Sequence, residues 1–177
     1  MDEKRLIKKA IKGKASAQQM LFERYSPKML SVCLRYTGNR FEADDVLVMA
    51  FTRVFDKLNT YKHEGSFEGW VRRIVVNEAL GYLRKHRKHH FEEIGEAENA
   101  GMYVAPSSHL EAEALHNLVR QLPEGYRTVF NLYAIEGFSH KEIAERLEIS
   151  VGTSKSQLNR ARTLLKTQLA KLEKDEY

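Results

Sequence analysis

The stretch SHKEIAERLEISVGTSKSQLNRAR, Ser139 to Arg162, carries two helix-start signals eleven positions apart. Ser139 and Glu142 form an S-x-x-E capping box, in which each side chain satisfies a backbone N–H that a new helix leaves unpaired. Ser150, ahead of Val-Gly-Thr, offers the same kind of oxygen to a second first turn. Ile143, Ala144 and Leu147 fall on one face of the first helix, and Ile149 lies in the break. On the second helix, at about 100° per residue, Val151, Ser154, Leu158, Ala161 and Leu165 cluster inward. Gly152, Ser156, Asn159 and Thr163 point outward, flanked by Thr153, Lys155 and Arg160. A face that is small, polar and basic can enter a major groove, where Lys, Arg, Asn, Ser and Gln bond base edges and phosphates. The pattern is a helix-turn-helix; its bland counterpart is a helical hairpin with a solvated charged face.

The 177 residues are enough for one or two small domains, and 42% hydrophobic content can give each a core. The opening MDEKRLIKKAIKGK has no apolar signal core, and no run approaches the roughly 18 apolar residues of a membrane span. A cytoplasmic protein without membrane insertion is expected. Cys33 is the one cysteine and cannot form an internal disulfide, so it reads as a small core residue. A formal charge of +5 with a pI near 9.2 is compatible with nucleic-acid binding without proving it. The basic run LRKHRKHH, Leu83 to His90, gives way to acidic FEEIGEAE and then to NAGMYVAPSS. That shift predicts a linker over 93–108 between domains at 1–92 and 109–177. Elsewhere apolar residues recur at helical spacing, so the expected fold is all-α: two small helical domains on a flexible linker, the second containing the helix-turn-helix.

In EADDVLVMAFTRVFDKL, Glu42 to Leu58, the residues Val46, Leu47, Ala50, Phe51, Val54, Phe55 and Leu58 make one buried stripe. Asp45, Met49, Thr52 and Asp56 lie opposite, with Val48 at the edge. An apolar Met49 there fits either a partner surface or an isolated surface residue. The next helix begins at a Ser66 cap and turns Phe67, Val71, Ile74, Val75 and Tyr82 inward. Trp70, Arg73, Asn77 and Arg84 line another side, a set suited to a separated nucleic-acid strand because aromatic rings stack on bases while arginines neutralise phosphates. The competing reading of Trp70 is a partly buried anchor with a solvated basic rim. His86, His89 and His90 have spacing that could share a metal, but no Cys or carboxylate completes a site. No cofactor is implied, and no catalytic motif is present.

The order of these features resembles a bacterial RNA polymerase sigma factor of the two-domain extracytoplasmic-function group. EADDVLVMAFTRVF looks like its polymerase-binding helix, FEGWVRRIVVNEALGYLRK like its promoter-opening helix, and LPEGYRTVFNLYAIEGFSHKEIAERLEISVGTSKSQLNRAR like its C-terminal promoter-binding domain. The resemblance implies that Asp45, Val48, Met49, Thr52 and Asp56 meet core RNA polymerase, with Val48 and Met49 standing where the family usually places Gln and Glu. It implies that Trp70, Arg73, Asn77 and Arg84 hold the opened strand at the minus-ten element of promoter DNA. It further implies that Thr153, Lys155, Ser156, Gln157, Asn159 and Arg160 read the minus-thirty-five element. Ser154 stands where the family usually has Val, which predicts slightly looser packing of that helix. Members are commonly held inactive by an anti-sigma factor, and none is an enzyme by itself. The rival readings are a free-standing helix-turn-helix repressor with an N-terminal sensing or dimerisation domain and, more distantly, a recombinase or nuclease.

Overall fold

The computed structural model describes residues 2–86 and 111–175. Every regular element among them is helical, and the chain divides into two units, Met1–His86 and Arg87–Tyr177. The expected linker at 93–108 lies outside the described residues, as do His89 and His90.

The first unit contains α1 (Glu3–Ile11), α2 (Ala15–Thr37), α3 (Arg40–Lys57), a 3₁₀ turn (Leu58–Thr60) and α4 (Phe67–His86). Three of these ends have a clear local cause. Asn39 caps α3 by accepting a hydrogen bond from the Glu42 N–H at 2.9 Å. Gly38 ends α2 in the left-handed region at φ +80°, which costs a residue without Cβ little. Ser66 Oγ accepts from the Gly69 N–H at 3.1 Å and starts α4. Helices α2, α3 and α4 pack on one another, and α1 lies on α2 and on the 3₁₀ turn. Leu21, Met29, Cys33, Tyr36, Val46, Ala50, Phe51, Val54, Val71, Val75 and Leu80 fill the core between them. Burying each large aliphatic side chain is worth about 1.5–3 kcal/mol. The predicted α3 stripe is buried as expected except at Phe55, which is half-buried. Burial pushes the Cys33 thiol up to about 12, so it stays protonated.

The second unit contains α5 (Glu111–Gln121), α6 (Glu124–Phe130), a π-helical turn (Asn131–Ile135), α7 (His140–Leu147) and α8 (Val151–Asp175). Leu118, Val119 and Leu122 meet Ala161 and Leu165, tying α5 to α8. Arg127 is buried, yet its Nη1 donates to the Arg120 and Leu122 carbonyls at 3.1 and 3.2 Å, a favourable place for a cation at the end of α5.

Candidate nucleic-acid and partner interfaces

The helix-turn-helix is assembled from the caps. Ser139 Oγ accepts from the Glu142 N–H, and the Glu142 carboxylate accepts from the Ser139 N–H at 2.8 Å. Those bonds to the charged form hold Glu142 below the usual carboxylate range. Glu148 ends α7 with φ +57°, a left-handed conformation in a non-glycine residue, and redirects the chain. Ser150 Oγ then accepts from the Thr153 N–H at 2.9 Å to open α8. The break predicted over 148–150 is therefore a C-cap at Glu148 and an N-cap at Ser150, with Ile149 alone between them.

Of the residues expected to read the minus-thirty-five element, Lys155, Asn159 and Arg160 are open to solvent. Arg160 also donates to Tyr126 Oη at 3.3 Å. Thr153 and Ser156 are half-buried with hydroxyls engaged locally: Thr153 Oγ1 lies 2.9 Å from Ser150 Oγ, and Ser156 donates to the Thr153 carbonyl at 3.0 Å. Gln157 departs from expectation, since it is only 4% exposed and sits against Gly125 of α6. A Cβ on Gly125 would come within 2.9 Å of Gln157 Oε1, so the bare glycine makes room for the buried amide. Conversely, Val151, expected inside, is 40% exposed. The buried arc of α8 is rotated toward Gln157 because α6 packs on that side.

Ser154, expected to loosen α8, is fully buried and 2.9 Å from His140 Nδ1. The hydroxyl thus exchanges apolar packing for a polar tie between α7 and α8. The His140 ring stacks on Tyr133 at 4.7 Å, and the Arg162 guanidinium lies 5.6 Å from the Tyr133 ring centre. Burial, with Lys155 and Arg162 nearby, lowers the His140 pKa from its ordinary 6.5. The motif reading missed this cluster. Its signal was the aromatic Tyr133 seven residues before His140, hidden by the π-helical turn that breaks the helical period between them.

In the first unit, Asp45, Val48, Met49, Thr52 and Asp56 are all exposed on α3. Val48 is 62% and Met49 41% exposed. Phe41, not singled out from the sequence, is 79% exposed and lies seven residues before Val48, two turns back on the same side. An aromatic residue in the first turn, outside the buried stripe, was the available clue.

On α4, Arg73, Asn77 and Arg84 are exposed, whereas Trp70 is half-buried. Its ring stacks on Phe67 at 5.7 Å and meets Tyr61 at 5.4 Å. Tyr61 and Tyr25 make edge contacts with Phe67 in turn, so Trp70 borders an aromatic cluster with part of its ring open. These contacts are those of a partly buried anchor. Among the described residues no His, Cys, Asp or Glu group could hold a metal ion, and no helix is long and apolar enough to cross a membrane.

Residues 21–89 match the family model for Sigma-70 region 2, and residues 112–165 match that for Sigma-70, region 4. The ECF RNA polymerase sigma factor SigW of Bacillus subtilis is 32% identical, with the match covering 96% of this chain and 97% of that protein. The ECF RNA polymerase sigma-E factor of Escherichia coli K12 is 31% identical over 89% of this chain and 88% of its own. The fold is also similar to that of the sigma factor RpoE of Bartonella quintana, solved in complex with the anti-sigma factor NepR. There the TM-score is 0.52 at 19% identity, covering 86% of this chain and 96% of that one. A helical chain with a helix-turn-helix in its second unit, matched along nearly its whole length by such proteins, belongs to the extracytoplasmic-function RNA polymerase sigma factors.

Proposed function

We propose that the chain binds core RNA polymerase through the outer face of α3 and directs it to promoters by reading DNA with both units. The observation that carries this is the match to both sigma regions, in order, in one chain. Asp45, Val48, Met49, Thr52 and Asp56 form the polymerase contact, joined by Phe41. Phe41 and Val48 give it an apolar strip among carboxylates, so part of its free energy comes from burial. Arg73, Asn77 and Arg84 hold the phosphates and edges of the opened minus-ten strand while the free part of Trp70 stacks on a base. Lys155, Asn159 and Arg160 enter the upstream major groove, with Thr153 and Ser156 at its margin.

Residues 1–92 act at the polymerase and minus-ten element and residues 109–177 at the minus-thirty-five element. Two weak contacts on one chain reinforce each other through effective concentration. The chain supplies specificity while polymerase supplies the chemistry, in the cytoplasm where the chromosome lies. An anti-sigma factor that covers these faces would hold it inactive. Co-purification with core polymerase followed by run-off transcription from a selected promoter tests the assignment. Stable, symmetric binding of duplex DNA by the chain alone, with no effect on polymerase, would overturn it in favour of a repressor.

A further inference from the structure

Helix α1 buries Leu6, Ile7 and Ala10, and Glu3 turns inward to accept a hydrogen bond from Tyr25 Oη. Its remaining surface is cationic: Lys4, Arg5, Lys8 and Lys12 are exposed and Lys9 is half-buried, with Ile11 at the edge. At about 100° per residue Lys4, Lys8 and Lys12 fall within one narrow arc, flanked by Arg5 and Lys9. Among the described residues none of these five cations has an ion pair. Like charges spaced i and i+4 oppose a helix by about 0.2–0.5 kcal/mol per pair, and α1 contains Lys4 with Lys8 and Arg5 with Lys9, with Lys12 just past its end. A merely solvated face has no need of that arrangement. A face that meets a row of phosphates does.

Position selects the occupant. Helix α1 lies on the 3₁₀ turn Leu58–Thr60, which leads into α4, with its apolar side in the core and its basic side outward. The exposed Lys57 and Lys62 flank that turn. A membrane surface fits poorly, since an interfacial helix needs a free apolar face and that of α1 is spent in the core.

We propose that the outer face of α1 is a further phosphate-binding surface, which meets the sugar–phosphate backbone of promoter DNA beside the strand held by α4. The proposal rests on the sigma-factor reading. It adds a sequence-independent contact made by residues of the first helix.

The test uses full-length chain reconstituted with bacterial core polymerase and a promoter selected by transcription from a random library, in duplex and pre-melted form. The triple variant Lys4→Gln, Lys8→Gln, Lys12→Gln should keep its thermal midpoint and core affinity. Its promoter-complex affinity should fall, and the slope of log affinity against log salt should become shallower by about 2–3, at roughly 0.7–0.9 for each phosphate no longer neutralised. The corresponding triple Arg variant should retain the wild-type slope. An unchanged slope in the Gln variant would overturn the proposal and leave the sigma-factor reading standing. A loss confined to core affinity would overturn it too, assigning the face to an acidic protein surface. Failure of wild-type holoenzyme to form a promoter complex would instead bring down the functional reading and this proposal with it.

Discussion

Gln157 and Asn159 stand two positions apart on α8, one packed under α6 and the other open to solvent. Gln157 Oε1 has no hydrogen-bond partner among the described residues, so Gln157→Met, which keeps the volume and removes the orphaned acceptor, should change stability by less than about 1.5 kcal/mol. It should also leave the preferred upstream element intact. Asn159→Ala should leave the thermal midpoint alone and relax preference at one or two positions, costing about 1–3 kcal/mol for the favoured base. Transcription by reconstituted holoenzyme from a library randomised in the upstream element measures both. A shifted motif with Gln157→Met alone would mean that α8 sits in the groove the other way round. His140 gives a second residue-level expectation. Its folded pKa lies below the ordinary 6.5, so the unfolded chain binds more protons in the window just below that value. Stability contributed there is present above pH 6.5 and lost as pH falls through it. Melting curves from pH 7.5 to 5.5 should therefore fall more steeply for wild type than for His140→Gln, which cannot titrate.

Among the elements, α3 and α4 make opposite demands on a mutational test. The outer residues of α3 support no core, so Val48→Lys and Met49→Lys should shift stability by no more than about 0.5 kcal/mol while weakening core-polymerase binding in a pull-down. Unchanged affinity would remove both from the contact. On α4, Trp70→Ala removes aromatic packing as well as a stacking platform, with an expected stability loss of about 1–3 kcal/mol. Arg73→Ala, exposed and outside the core, isolates the DNA role: permanganate footprinting should show less opening of a duplex promoter and partial recovery on a pre-melted one. Helix starts were legible in the sequence because caps are local, and Ser66, Ser139 and Ser150 all bond the N–H groups expected of them. The exact face of α8 was not, because Val151 and Gln157 flank the buried arc on either side. Packing against Gly125, distant in sequence, decides between them. The register of 131–135 was hidden for another reason, since a π-helical turn follows neither of the periods used to read helices.

At the scale of the whole molecule, two units with separate cores imply that covalent connection matters to function more than to folding. Residues 1–92 and 93–177 supplied as separate chains should give far less promoter-specific transcription than the intact chain at equal concentration, because the second contact loses its effective concentration. Equal output in run-off assays would refute that. The all-helical class was legible from 3.6-residue periodicity along the chain. The α1 surface passed unnoticed in the sequence because its charges show an arrangement only once Leu6, Ile7 and Ala10 mark the side that is buried. The burial of Cys33 has a practical consequence. The chain's one native thiol is fully enclosed and held protonated, so a cysteine engineered on an exposed position away from the proposed contacts, such as Gln19 or Thr167, becomes the one site that a maleimide dye modifies in the folded protein. Fluorophores can thus be placed on either unit of an otherwise wild-type chain, and the arrival of each unit on polymerase and DNA can be timed in single molecules.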